Sequence, residues 1–231
     1  FPYEMYAANP ETGTLFKLVE DEGIGTYIMN SKDLNLASHI KEILDAGCID
    51  SLKIEGRTKA PYYAAVTAKV YRRAIDDYYE GKFDCEVYQR ELNTMKNRGF
   101  TDAYLINRPF EKNDTQNLDF SMMMGTHQVS GIVDEDGLFF ECKYKTFPED
   151  IMEILTPDES VLTEVDNEIG TIRKIEGQWT IAFKQLLAEN GKVWDQVHSG
   201  NLTRFKLPAA LPAFTFFRIP ATEDMGTVKC D

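Results

Sequence analysis

The chain changes its sequence pattern near residue 120. Before that point, apolar residues recur at helical spacing between short strand-like runs. Beyond Gly125 they come in brief β-rich pieces ("HQVSGIV", "GLFFECKY", "GTIRKI", "TIAFKQLL", "FTFFRI") separated by Gly, Asp, Asn and Pro. One architecture cannot serve both patterns. Strands alternating with helices through short links pair in parallel, whereas closely spaced strands close on one another as a small barrel or sandwich. The expected fold class is therefore α/β plus all-β. Residues 1–108 read as β/α units of a barrel or doubly wound sheet with a trailing helix, residues 109–124 as a polar, breaker-rich linker, and residues 125–231 as a small β-barrel or sandwich domain. There is no internal repeat and no low-complexity tract.

The first part is read element by element. Gly25 to Asn30 is a strand candidate, and the Ser31 hydroxyl is placed to cap the helix after it. Leu36, Ile40, Ile43 and Leu44 give that helix one apolar stripe, and Gly47 ends it. A second strand spans Ile49 to Glu55. A helix follows from Pro61, a favoured first-turn proline, to Gly81, with Tyr63, Val66, Val70 and Ala74 along one side. Asp84 to Arg98 is a further helix, closing at Gly99. Two β/α units cannot close a barrel, and "FPYEMYAANPETG" begins abruptly on Phe1, so the chain reads as a fragment whose upstream part is its missing partner.

The 231 residues carry a net charge of −13, which argues against blind affinity for nucleic acid over the whole surface. The charge is uneven. Ser51 to Arg73 holds six basic residues against Glu55, while Gly131 to Gly170 holds twelve acids against Lys143 and Lys145, so an anionic ligand favours the first segment. No apolar run approaches a membrane span. The four cysteines, Cys48, Cys85, Cys142 and Cys230, form no CxxC pair and read as reduced thiols of a cytoplasmic protein.

Alternation in the strand at 49–55 puts Leu52 and Ile54 on one face and Lys53 and Glu55 on the other. In a barrel the apolar face meets the outer helices, so Lys53 and Glu55 point into the lumen at the C-terminal rim, where such folds build their sites. Gly56 allows a sharp turn and Arg57 reaches over the mouth. Lys53 and Arg57 would then hold a carboxylate or phosphate, and Glu55 would orient Lys53 or a substrate hydroxyl. The alternative is a lumenal Lys–Glu ion pair with an exposed arginine, purely structural. Asn30, Ser31, Lys32 and Asp33 occupy the equivalent rim after the preceding strand, and Lys59, Tyr63 and Arg72 are further substrate-binding candidates.

Other chemistry is weaker. His39, His127 and His198 lack zinc-site spacing and read as surface or satisfied core residues. Cys48 reads as a small buried thiol, Met122 to Met124 as a packing edge, Trp179 and Trp194 as anchors of the β domain, and Glu149 to Glu168 as a solvated acidic face. No glycine-rich phosphate loop, no Ser-His-Asp elbow and no metal site is evident.

The combination of "NSKDL" (30–34), "AGCIDSLKIEGRTK" (46–59), "YYAAVTAKVYRRAID" (62–76) and "NRGFT" (97–101) resembles the collagenase-like peptidase family, U32. The likeness is strong over residues 1–104, and the β-rich remainder is similar to the family's C-terminal domain. The resemblance implies the C-terminal units of a β/α (TIM-type) barrel at 1–108 followed by a small β-barrel domain at 125–231, in a bacterial cytoplasmic enzyme. Better understood members are similar to oxygen-independent hydroxylases acting on tRNA wobble uridine, ribosomal RNA or ubiquinone precursors, with prephenate as co-substrate and often an iron–sulfur cluster. "FPYEMY" resembles the text just after the family's cysteine-rich signature, so any cluster would be held by upstream cysteines and none by this fragment. Three readings follow. One is the C-terminal part of a prephenate-dependent tRNA hydroxylase, with Lys53 and Arg57 toward prephenate and Lys59, Lys69, Arg72 and Arg73 toward RNA phosphates. Another is a metal-dependent collagenase-type peptidase using the same mouth. The last is a non-catalytic interaction or lid module. In each, the full-length protein acts and the fragment alone is inactive.

Overall fold

The computed structural model describes residues 3–11, 13, 15–21, 25–27, 31–106, 115, 117 and 125–221. The chain divides into two units, Phe1–Glu55 with Val70–Gly125, and Gly56–Lys69 with Thr126–Asp231. The expected linker at 109–124 falls largely outside the described residues.

In the first unit, β1 (Met5–Ala8), β2 (Leu15–Asp21) and β3 (Gly25–Tyr27) form an antiparallel meander. The strand expected from Gly25 thus pairs antiparallel with β2 and is not a barrel strand. The parallel pair lies elsewhere, between β4 (Asp33–Leu34) and β5 (Phe100–Thr101). It is short but heavily tied. The Asp33 N–H donates to the Gly99 carbonyl at 2.8 Å and the Asn35 N–H to that of Thr101 at 2.9 Å. The Asp33 carboxylate accepts from the Arg98 N–H at 3.0 Å and from its guanidinium at 2.8 Å.

Helix α1 (Ile40–Asp45) follows a 3₁₀ turn at Ala37–His39, and Gly47 closes it at φ +64°. Ser31 is not its cap: it is exposed, well before the first helical turn. Neither the 3₁₀ turn nor α1 has a side-chain cap; Asn35 instead turns the chain just ahead of them, accepting from the Ala37 N–H at 3.0 Å. Residues 49–55 form no strand. They run irregular and exposed, with Ile49, Leu52 and Ile54 at 48%, 38% and 44% accessibility. The physical reason is that alternation only prepares a strand. Its backbone groups need a neighbouring edge, and no described strand pairs with this segment.

Helix α2 (Pro61–Glu80) matches its expected bounds, and Gly81 at φ +69° ends it, with the Lys82 N–H reaching back to the Asp77 carbonyl at 2.7 Å. Val66, Val70 and Ala74 are buried, but the buried first-turn ring is Tyr62, with Tyr63 only partly covered. Helix α3 (Cys85–Leu92), capped by Asp84, stops before the expected Arg98. Thr94 donates its hydroxyl to the Glu91 carbonyl at 2.7 Å, and the Asn97 side chain accepts from the Gly99 N–H at 2.9 Å. Such side-chain bonds offer the backbone an alternative to helix.

The second unit is built on eight strands, β6 (His127–Val133), β7 (Phe139–Cys142), β8 (Ile151–Leu155), β9 (Val165–Asp166), β10 (Gly170–Ile175), β11 (Gln178–Phe183), β14 (Arg204–Lys206) and β15 (Phe216–Pro220), with a small hairpin of β12 (Leu186–Leu187) and β13 (Val193–Trp194). The order is β14-β7-β6-β15-β8-β11-β10-β9, antiparallel throughout and curled as a half-barrel, so the expected small barrel is open among the described residues. Its core is aromatic. Phe140 stacks on Phe183 with centroids 4.7 Å apart and meets Phe217 edge-on at 5.4 Å, while Trp179 and Trp194 pack at the margin. Gly131 is demanded by this packing, since a Cβ there would lie 2.8 Å from the Phe140 ring.

Phe217 enters the core, whereas its neighbours Phe216 and Arg218 both meet Tyr62 from the first half of α2; the register shifts between Phe217 and Arg218. The Tyr62 ring lies 5.5 Å from that of Phe216. Arg218, only 4% exposed, donates Nη1–H to the Tyr62 hydroxyl at 3.1 Å and Nε–H to Glu153 Oε2 at 2.9 Å. Glu153 Oε1 faces His127 Nε2 at 3.3 Å, and His127 Nδ1 faces the Thr126 hydroxyl at 2.9 Å. The His127 hydrogen bond, with the Arg218 charge beside it, holds the Glu153 carboxyl below its usual range although burial opposes this.

Two outcomes follow from this packing. F140A should destabilise the protein by ~3–5 kcal/mol in denaturant unfolding, because the vacated ring volume lies among rings that cannot collapse into it. A carboxyl whose native pKa is lowered stabilises the fold above its ordinary value of about 4.3 and loses that contribution as pH falls through the lower native value. The stability gap between wild type and E153Q, measured by unfolding at stepped pH, should therefore be constant above about pH 5 and shrink in more acid solution.

Candidate functional site

The segment from Lys53 to Tyr63 carries the charged candidates. Lys53 and Glu55 make an ion pair at 3.6 Å with side chains 85% and 64% exposed. The described residues form no lumen around them, and both side chains face solvent here. A pair so solvated contributes little to stability. The cause is the unformed strand: without partners on both sides, nothing assigns its two faces to an inside and an outside.

The turn that follows is built more firmly. The Lys59 N–H donates to the Gly56 carbonyl at 2.9 Å, and the Ala64 N–H to that of Ala60 at 3.4 Å, so the chain passes from a turn directly into α2. Gly56 lets the Tyr63 ring lie close, since a Cβ would sit 2.7 Å from that ring and displace it. The same ring carries the Lys59 ammonium 5.3 Å from its centroid, an attraction between cation and aromatic face. Arg57 stands exposed on this turn. Gly56, Lys59 and Tyr63 are thus brought together, and the adjacent Tyr62 is anchored by Arg218. The positive end of the 20-residue helix α2 adds to the field around Arg57 and Lys59. Such a surface suits an anionic group, with the guanidinium able to hold it in two places.

The other predicted residues lie apart from this turn in role. Asn30 is outside the described residues. Ser31 is exposed, and the Lys32 N–H donates to the Thr115 carbonyl at 2.9 Å. Asp33 is occupied by Arg98, and Arg72 by Asp76 one helical turn on. Arg73 pairs with Asp77, and Lys69 donates to Glu159 at 2.9 Å and to the Thr156 carbonyl at 3.2 Å. Several cations of the basic stretch are therefore held by neighbouring acids.

Sequence reasoning missed Arg98 as the partner of Asp33, and the row Tyr62, Arg218, Glu153 and His127. The one available signal was an arginine inside the otherwise apolar "FTFFRIP". Glu153 is also the exception to the solvated acidic face, and His127 is a satisfied histidine of the kind expected.

For a metal or cluster the described residues do not fit. Cys48 is exposed, against expectation, Cys85 is exposed and Cys142 is buried, and no group of three His, Cys, Asp or Glu is placed to hold an ion. A shallow open groove is lined by Glu141, Glu189, Asn190, Leu202, Thr203 and Arg204. Its cation, Arg204, is engaged by Glu189, by Asp134 at 2.9 Å and by Asp136 at 3.5 Å. Burial, followed by the hydrogen bond with Asp136, raises the Asp134 carboxyl. No described helix is long and apolar enough to cross a membrane.

Comparison with known proteins gives these residues a context. Tested against solved structures, the chain finds no match. Among characterised proteins it is 49% identical over 94% of its length to tRNA hydroxylation protein P of Helicobacter pylori, covering 52% of that protein. It is 38% identical over 68% of its length to tRNA hydroxylation protein P of Escherichia coli, covering 36% of it. A shorter stretch, 38% of the chain, is 38% identical to a collagenase of Porphyromonas gingivalis and covers 26% of that protein. The chain spans about half the length of the Helicobacter relative it matches. The description that fits residues 1–115 is peptidase family U32. Those residues contain both strands of the short parallel pair, its Asp33–Arg98 tie and the Arg57 turn, and through them the chain belongs to peptidase family U32.

Proposed function

We propose that this chain works as the C-terminal part of a cytoplasmic protein that hydroxylates tRNA, at wobble uridine, with prephenate as co-substrate. The observation that carries the reading is the 49% identity, sustained across 94% of the chain, to a protein named for tRNA hydroxylation. In this reading Lys53 and Arg57 hold the carboxylates of prephenate, Glu55 keeps Lys53 oriented, and Lys59, steadied over Tyr63, accepts an RNA phosphate. Arginine suits the first task because its planar fork matches a carboxylate, whereas lysine serves as a point charge. An anion-binding role for Arg57 is supported by its exposure on a turn closed by the hydrogen bond from the Lys59 N–H to the Gly56 carbonyl.

The same reading takes residues 49–55 as a barrel strand in the full-length protein. Support comes from the apolar row Ile49, Leu52 and Ile54, which is left substantially exposed, and from the alternation that sets Lys53 and Glu55 on the other face. Any iron–sulfur cluster would be held by residues outside those described, and no step assigned to this chain depends on it.

A second reading, a collagenase-type peptidase, is favoured by the similarity to the Porphyromonas protein, but over only 38% of the chain. It predicts that the intact purified protein cleaves denatured collagen and leaves tRNA unmodified.

The decisive substitution is R57E. It reverses charge at an exposed position and should leave thermal unfolding unchanged. In cells whose only copy is R57E, 5-hydroxyuridine in bulk tRNA should fall at least tenfold by mass spectrometry. A wild-type level of the modified nucleoside would end the assignment of Arg57 to the substrate.

A further inference from the structure

Arg218 is an expensive group to bury. A guanidinium only 4% exposed has lost most of its hydration, and replacing a buried ion pair by apolar side chains of similar volume is often neutral or stabilising. Packing β15 against the first turn of α2 does not by itself need a charge: Phe216 already meets the Tyr62 ring at 5.5 Å. What an apolar residue could not do is fix the direction of the Tyr62 hydroxyl. Arg218 does so at 3.1 Å, and is itself fixed by Glu153, its partner across the β15–β8 ladder, at 2.9 Å. Glu153 is held in turn by His127. Each member's orientation is thus set by the next, so the hydroxyl has one position.

Tyr62 is the residue before Tyr63, whose ring supports Lys59 and fills the space beside Gly56. Rotation or displacement of the first turn of α2 would carry both rings together and move the Gly56–Lys59 turn. We propose that Arg218 and Glu153 are positioning residues for substrate binding: through Tyr62 they lock the turn that presents Arg57 and Lys59. The β-rich region then serves the reaction from a residue 156 positions away in sequence, as the rigid support of the anion-binding turn. This inference rests on the assignment of that turn to the substrate.

The test uses the intact protein and the rate of 5-hydroxyuridine formation on unmodified tRNA, at varied prephenate and varied tRNA. Y62F keeps the ring against Phe216 and removes only the hydroxyl; R218M keeps the volume and removes the charge. Both should raise a KM about tenfold, the scale of one lost hydrogen bond to a charged group, with kcat within about twofold. Arg218→Lys, lacking the fork that reaches both partners, should not restore it. Unchanged KM in Y62F, alongside an inactive R57A, overturns the positioning role while leaving the substrate assignment standing. Full activity in R57A instead removes the substrate assignment itself. A reduced kcat at unchanged KM with a lowered Tm would make the network a purely structural one and also overturn the proposal. If R218M does not fold, Y62F decides, since it leaves the Arg218–Glu153 pair intact.

Discussion

The second unit depends on one strand arriving last and taking a central place. β15 (Phe216–Pro220) lies between β6 and β8, so both of those strands have an exposed hydrogen-bonding edge until the end of the domain folds back. Once inserted, it supplies Phe217 to the aromatic core and Phe216 and Arg218 to Tyr62. A strand with apolar demands on one side and an aromatic and a guanidinium on the other has little freedom of register, because a one-residue slip would exchange them. β15 itself keeps its alternation: the shift against β6 leaves the extra residue, Ser130, on β6, while the pairing with β8 runs unbroken through Leu155, Ile154 and Glu153.

Among the described residues, two ionic arrangements mark the extremes. Arg72–Asp76, Lys41–Asp45 and Lys53–Glu55 are exposed pairs on helix surfaces or in an irregular segment, screened by water and of small consequence. Arg218–Glu153 joins a buried guanidinium to a half-buried carboxylate, and Tyr62 and His127 each make a further hydrogen bond to the pair. Removing Glu153 would take the carboxylate from a guanidinium that is only 4% exposed, a costly loss in such surroundings. The network is thus a source of geometric definition more than of net stability, which is why a functional role as a support follows naturally from it.

Two stretches that mark the family, "NSKDL" and "NRGFT", are each other's partners. Asp33 and Arg98, 65 residues apart, join them, and their backbones form the short parallel pair β4–β5. The third stretch, "SLKIEGR", finds no strand partner among the described residues and leaves its apolar residues in solvent. Its glycine, by contrast, is explained within a few residues, by the Tyr63 ring. Local constraints and distant ones are therefore interleaved in a single run of residues.

What the sequence determined alone was what short-range chemistry fixes. The extent of α2 followed from Pro61, its apolar stripe and Gly81, and the change to antiparallel β structure after Gly125 from strand length and breaker spacing. The family was legible in the spacing of its motifs. The stop of α3 at Leu92 is not legible in its apolar pattern, although its causes, Thr94 and Asn97, are local, because side-chain bonds to the backbone compete with helix only once the chain has turned. Tertiary structure alone decided which charges matter. Alternation assigned faces to Lys53 and Glu55, but a face becomes an interior only when neighbouring strands cover it. Nothing in "FTFFRIP" or in "APYY" announces that Arg218 will find Tyr62, because that meeting is made by a sheet that must assemble before either residue has a direction.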